Sequence, residues 1–217
     1  MRMTKTVFIS GISTDVGKTV VSAIIAEALE ASYWKPIQAG DLDNSDSLKI
    51  KKYCSEQVTV LNEKFQLSKP MSPHAAAEID QIQIEIDDLQ TPTVNGNLVI
   101  EGAGGLMVPL NSNGLLVIDL IEKNNWPVIL VSRHYLGSIN HTLLSVEVLK
   151  KRNIPIAGII FVGDENKATE SIIAKQTQVP IWGRIPLAEK MNKEFVKNQA
   201  AIWKKNTFLQ SFQKSKL

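Results

Sequence analysis

The chain has 217 residues, 44% hydrophobic and 21% charged, and 24 basic against 22 acidic side chains leave a net charge of +2. That size and balance suit one domain with a sizeable core, and they exclude disordered, collagen-like and coiled-coil classes and a broadly basic nucleic-acid surface. One cysteine, Cys54, makes neither an internal disulfide nor a thiolate metal cage, and no apolar run nears the ~20 residues that cross a bilayer, so a cytoplasmic protein without a membrane partner is expected.

In chain order, Val7–Ser10 reads as a strand, too brief for a signal-peptide core, and apolar residues at three- and four-residue spacings predict a helix over Lys18–Ala31. Between Glu78 and Leu89, Ile79, Ile82, Ile84 and Ile86 mix both periods, and Pro92 limits any helix there. Strands follow at Leu98–Glu101, Val128–Ser132 and Ile156–Phe161, with helices at Ser138–Arg152, Lys167–Gln176 and from about Lys193 onward. The strands are nearly continuous Val/Ile/Leu runs, as expected where helices cover both faces of a parallel sheet. No repeat or Gly/Ser-rich linker divides residues 1–217, so a single domain is expected, with Lys204, Lys205, Lys214 and Lys216 as a solvated basic tail.

The segment Val7-Phe8-Ile9-Ser10-Gly11-Ile12-Ser13-Thr14-Asp15-Val16-Gly17-Lys18-Thr19 is a strand, a turn and a helix start. Backbone amides of such a turn converge on phosphate oxygens, Lys18 supplies a cation, and the Thr19 hydroxyl suits Mg2+. The expected fold is therefore α/β, a mostly parallel sheet of the P-loop NTPase type. The usual first glycine falls at Ile12, with Gly11 one residue earlier, so the motif match is imperfect.

Two carboxylates stand out as partners for a magnesium nucleotide. Glu101 ends a predicted buried strand beside the glycine turn Gly102-Ala103-Gly104-Gly105, where a carboxylate needs a positive neighbour. Asp46, in a polar turn before a helix, is either a helix cap or a metal ligand. Lys35 reads as a solvated strand-end lysine or as a second phosphate clamp, since Pro36 extends it and Gly40 turns the chain after it. Ser72-Pro73-His74 reads as an N-cap with proline at the first helical position, and Asn140 and His141 read as polar helix-surface residues.

Taken together, Gly11-x-x-Thr14-Asp15-Val16-Gly17-Lys18-Thr19, Lys35-Pro36-x-x-x-Gly40, Ser45-Asp46, Ser72-Pro73-His74, Glu101-Gly102-Ala103-Gly104-Gly105 and Leu136-Gly137-x-Ile139-Asn140-His141 resemble the dethiobiotin synthetase family, in an order that spans most of the chain. The resemblance implies a homodimeric ligase that uses Mg2+ and ATP to join CO2 (or bicarbonate) to 7,8-diaminopelargonate and close a cyclic urea. It implies Thr19, Asp46 and Glu101 as Mg2+ ligands and Lys18 and Lys35 as the catalytic lysines. Thr14, Asp15, Val16, Gly17, Val20, Gly102, Ala103, Gly104 and Pro186 would surround the nucleotide. Thr14, Lys35, Ala39 and Pro73 would meet the substrate, and Asn140 would receive its distal carboxylate from a neighbouring subunit.

Three departures from the family pattern stand in the chain. Ala39 replaces a hydroxyl residue of some relatives, and the stretch from Lys18 to Lys35 is short. Val162-Gly163-Asp164 stands where many relatives carry an adenine-reading Asn, which leaves room for relaxed nucleotide preference. The alternatives are another P-loop amide ligase, which usually carries a glutamine-hydrolysing domain that this length does not accommodate, and an ATP-gated partitioning switch of the ParA/MinD kind. A switch of that kind commonly has an added loop lysine and a basic or amphipathic surface, neither of which is evident here.

Overall fold

The computed structural model describes residues 5–214, so Lys216 of the basic tail lies outside the described residues. The first half runs β1 (Thr6–Gly11), α1 (Lys18–Leu29), β2 (Ser32–Trp34), β3 (Ile37–Ala39), α2 (Asp46–Tyr53), β4 (Phe65–Leu67), α3 (Pro73–Ile79) and β5 (Leu98–Gly105). The second runs α4 (Val117–Asn124), β6 (Val128–Arg133), α5 (Ser138–Lys151), β7 (Ile156–Val162), α6 (Lys167–Thr177), β8 (Ile181–Ile185), α7 (Lys193–Trp203) and α8 (Thr207–Lys214). Six strands form one parallel sheet in the order β2-β5-β1-β6-β7-β8, and β3 and β4 make a separate parallel pair.

Alternation along β1 divides the core. Val7 and Ile9 face a cluster that takes in Ile24, Ile50, Val196 and Phe212 from α1, α2, α7 and α8. Phe8 faces the other side, with Ala76 of α3 and Ile118 and Ile121 of α4. Both sheet faces are thus covered, which is why the central strands read as unbroken apolar runs. Cys54 is buried in the first cluster, where burial pushes its thiol up to about 12 and leaves it unreactive. Among the described residues, no helix is long and apolar enough to cross a membrane.

Several boundaries differ from expectation for local reasons. Helix α1 stops at Leu29, not Ala31, because Glu30 turns left-handed (φ 50°) and its N–H closes back on Ala26 and Glu27. Strand β5 runs on through Gly105, so Gly102–Gly105 belongs to the strand and is not a free turn, although Gly104 within it turns left-handed (φ 67°). Gly102 is small for packing: a Cβ there would lie 2.8 Å from the Phe8 ring. The segment after α3 is neither long helix nor strand; Ile84 is fully buried, and its carbonyl accepts from Asn111 Nδ2 at 2.8 Å.

At the far edge of the sheet, Glu170 of α6 ties three elements together. It accepts two hydrogen bonds from Arg184 of β8 through Nη2 (2.8 and 2.9 Å) and one from Nε (3.1 Å), and it pairs with His134 Nε2, just after β6, at 2.9 Å. Burial would raise the Glu170 carboxyl, but Arg184 and His134 hold it below its ordinary value of 4.5. A depressed carboxylate contributes stability above its unfolded-state pKa and loses it as pH falls through the folded-state value. Glu170→Gln is therefore expected to cost about 1 kcal/mol at neutral pH. Denaturant titrations at pH 7 and pH 3 check it: the gap to wild type should close at the acid end, and an equal gap at both would remove the ionic contribution.

Candidate active site

Strand β1 delivers the chain into a loop whose shape depends on two left-handed residues, Asp15 (φ 53°) and Gly17 (φ 96°). Gly17 is the N-cap of α1 and provides no side-chain cap, so the first amides of that helix are free to meet an anion. A Cβ on Gly17 would come within 3.1 Å of Val162 at the end of β7. Lys18 is mostly buried and curls back, its Nζ donating to the Ser13 carbonyl at 3.1 Å. Burial lowers its pKa, with Glu101 opposing and Lys35 reinforcing the shift. Lys18 and Lys35, from separate segments, are thus close enough to feel each other's charge.

Register places the centre of the site. Glu101 of β5 lies opposite Ile9 of β1, and on the other side β2 pairs Tyr33 with Val99 and Trp34 with Ile100, which brings Lys35 beside Glu101. Glu101 is 0% exposed. Its Oε1 accepts from Thr19 Oγ1 at 2.9 Å and from Lys35 Nζ at 3.4 Å, and its Oε2 accepts from the Tyr33 hydroxyl at 3.0 Å. Lys35 also pairs with Asp46 Oδ2 at 2.7 Å. Burial alone would lower Lys35; Glu101 and Asp46 overcome it and hold the ammonium above its ordinary pKa. Burial would likewise raise Asp46, but Lys35, Lys49 and Thr19 pull it down to about 2.

Asp46 is not the cap of α2. Ser45 takes that position, its hydroxyl accepting from Leu48 N at 3.2 Å, which frees the Asp46 carboxylate at the first helical residue to turn toward Lys35. Ser72 precedes α3 without capping it through its side chain; its hydroxyl pairs instead with His74 Nδ1 at 2.9 Å. Gly40 turns left-handed (φ 69°), packed so closely that a Cβ would fall 2.4 Å from Pro70.

A cleft of about 780 Å³ opens over this cluster. Of the residues singled out from the sequence, Thr14, Asp15, Gly17, Lys18, Thr19, Val20, Lys35, Ala39, Asp46, Pro73, Glu101, Ala103 and Gly104 line it. Val16 and Gly102 are buried behind it, and Pro186 and Asn140 lie outside its walls. Asn140 is exposed on the first turn of α5, next to His141, which is bonded to the Tyr135 hydroxyl at 2.7 Å.

Three contributors were not read from the sequence. Tyr33 sits two residues before Lys35, the strand period that puts both on one side, and that spacing was the available signal. Gln38 is buried, donating to the Gly40 carbonyl at 2.8 Å and accepting from Asp46 N at 3.2 Å, so it fixes the start of α2. Lys49 reaches Asp46 Oδ1 at 3.3 Å, one helical turn on.

A central parallel strand feeding a loop of free amides, a lysine and a hydroxyl at the helix start, and carboxylates from a neighbouring strand and from the start of α2 define a P-loop nucleotide-binding protein. Solved structures agree on the fold. MinD from Pyrococcus horikoshii, complexed with Mg-ADP, superposes with a TM-score of 0.55 over 98% of this chain and 94% of that one at 18% identity. A ParA family ATPase from Chlorobium tepidum gives 0.54 over 99% and 98% at 13% identity. The family described as an AAA domain matches residues 5–194.

Sequence relatives narrow the class. The chain is 56% identical over 204 residues to the ATP-dependent dethiobiotin synthetase BioD of Christiangramia forsetii, covering 94% of this chain and 98% of that protein. It is 48% identical to that of Rhodopseudomonas palustris, covering 88% and 91%. The chain belongs to the dethiobiotin synthetase family.

Gly17→Ala tests the loop geometry. A side chain there meets both a positive φ and Val162, so the loop must shift. The expected outcome is a loss of ADP affinity of about tenfold or more with the fold retained; calorimetric titration showing wild-type affinity would disprove the constraint.

Proposed function

We propose that this protein is an ATP-dependent ligase of biotin biosynthesis that joins CO2 to 7,8-diaminopelargonate and closes the ureido ring of dethiobiotin. Family membership supports the activity. The observation that carries the residue-level reading is the gathering of Lys18, Lys35, Thr19, Asp46 and Glu101, from four separate segments, in one cleft.

The chemistry balances without a protein nucleophile. One substrate amine adds to CO2 and loses a proton, giving a carbamate. A carbamate oxygen attacks the terminal phosphorus of ATP and ADP departs, leaving a carbamic-phosphoric anhydride. The second amine attacks its carbonyl carbon, expels phosphate, and loses a proton as the ring closes. The protein's task is to position the two partners and to supply positive charge where the phosphoryl group transfers. Lys18 and the first amides of α1 address the phosphates, and Lys35, held charged and in place by two carboxylates, addresses the carbamate side.

Thr19, Asp46 and Glu101 are hard oxygen donors and fit Mg2+, which takes few protein ligands and keeps waters and phosphate oxygens for the rest. Among the described residues no group of three His, Cys, Asp or Glu offers a fuller cage. Bound there, Mg2+ would neutralise charge developing on the phosphate oxygens. The likeness to MinD and ParA proteins, at 18% identity or less, extends to the fold alone.

A homodimer completes the reading. Leu136 is 103% exposed and Tyr135 is exposed next to it, just before α5, which carries Asn140 in its first turn and an exposed Leu144 further along. Apolar exposure on this scale suits a face covered by a second copy, and Asn140, outside its own cleft, would then serve the neighbour's substrate. One buried, unreactive cysteine suits the cytoplasm.

Three outcomes test these statements. Phosphate release from Mg-ATP should require diaminopelargonate and bicarbonate together and match dethiobiotin formed; release without them would favour a switch. Lys35→Gln should lower turnover by on the order of a hundredfold with the fold intact, and wild-type turnover would remove Lys35 from the mechanism. Leu136→Asp should shift the protein to a monomer in sedimentation and raise KM for diaminopelargonate; an unchanged mass would overturn the interface.

A further inference from the structure

Glu101 presents its two oxygens to different partners. Oε1 meets Thr19 and Lys35, both of which line the cleft, whereas Oε2 meets Tyr33, which does not. We propose that Tyr33 is a positioning residue for the metal: its hydroxyl holds Oε2 so that Oε1 stays aimed at Thr19 and the cleft. This rests on the assignment of Glu101 as a Mg2+ ligand.

Two observations favour a dedicated role over ordinary packing. Tyr33 is 0% exposed and its backbone is pinned on the side away from β5, its N–H donating to the Thr59 carbonyl at 2.8 Å and its carbonyl accepting from Leu61 N at 2.9 Å. The ring is therefore set by the sheet, and the hydroxyl arrives at Oε2 with little freedom. Phenylalanine would fill the same core volume, so packing gives no reason to bury a phenolic oxygen here. A buried carboxylate with one oxygen unsupported can rotate about its last torsion, which is broad and soft, and a ligand free to rotate binds a small octahedral cation less well.

The test reads metal binding and not turnover. Mn2+ affinity of the ADP complex, measured by electron paramagnetic resonance, is compared for wild type, Y33F, E101Q and the double variant, with ADP affinity measured in the absence of metal. Losing a hydrogen bond to a buried charge is expected to weaken Mn2+ about tenfold in Y33F, to leave metal-free ADP affinity unchanged, and to add nothing in the E101Q background. Wild-type Mn2+ affinity in Y33F, with the affinity lost in E101Q, would overturn the role of Tyr33 and leave the ligand assignment standing. Wild-type affinity in both would overturn the two together.

Should Y33F fail to fold, wild-type protein labelled with 13Cζ-tyrosine serves instead. Mg2+ added to the ADP complex should move one of the three tyrosine resonances, the same one that E101Q moves. No metal-dependent shift would overturn the proposal.

Discussion

A negative charge buried in the middle of a parallel sheet is the constraint on which the rest of this site depends. Glu101 has no contact with solvent, so its burial must be offset by donors and by a cation. Lys35 answers the charge, but Lys35 is itself buried and shares its charge with a second carboxylate, Asp46. Asp46 begins a helix and is brought inward because Ser45 caps that helix and Gln38 grips its first amide. The need for charge balance thus runs from β5 through the end of β2 to the start of α2, and fixes three segments that share no sequence neighbourhood.

Such an arrangement is a poor investment in stability alone, because well-packed apolar residues of similar size often do as well as a buried ion pair. Under the proposed function its value would lie in being ready for a charged ligand. Lys35 stays protonated because of the two carboxylates, and Asp46 stays ionised because of the two lysines it meets. Dipoles and charges set before the substrate arrives need no rearrangement during reaction, which is how a fixed site lowers a barrier that water cannot. The same rigidity explains the supporting residues: Tyr33, Gln38 and the closely packed Gly40 each hold a backbone or a carboxylate that faces the cleft.

How much of this the sequence disclosed follows from which interactions are local. Strands β1, β5, β6 and β7 are legible because burial on both faces writes an unbroken apolar run, and α1 and α5 because apolar residues return at three- and four-residue spacings. Strands β2, β3 and β4 have three residues each, too few for any period, and exist because β5 or a partner strand binds their backbone. In sequence Asp46 reads as a cap or a ligand, and the fold gives the cap to Ser45. Tyr33 carried no mark beyond its spacing from Lys35, since its partner lies 68 residues away. Long-range register, which no local pattern encodes, decides the short strands and Tyr33, whereas Asp46 is decided by the local Ser45 cap.

The fold alone does not choose between a ligase and a switch, since MinD and ParA proteins share it. The difference lies in what borders the phosphate loop. A switch needs space for a nucleotide and a surface that changes with it. A ligase must also seat a second molecule against the terminal phosphate with water kept out. Here the cleft is lined not only by Lys35 and the phosphate loop but also by Ile37, Ala39, Pro70, Met71, Pro73 and Val108, with Gln38, Asp41 and Ser72 among them. These residues come from the β3 strand, the loop after β4, the start of α3 and the segment after β5, and Gly40 and Pro70 pack the first two together. The alkyl diamine of the proposed reaction would have apolar side chains to lie against in the same cleft that holds Lys35 and the phosphate loop. On the proposed chemistry the buried charge centre and these apolar side chains would act as one device, the first fixing where the phosphoryl group goes and the second what is there to receive it.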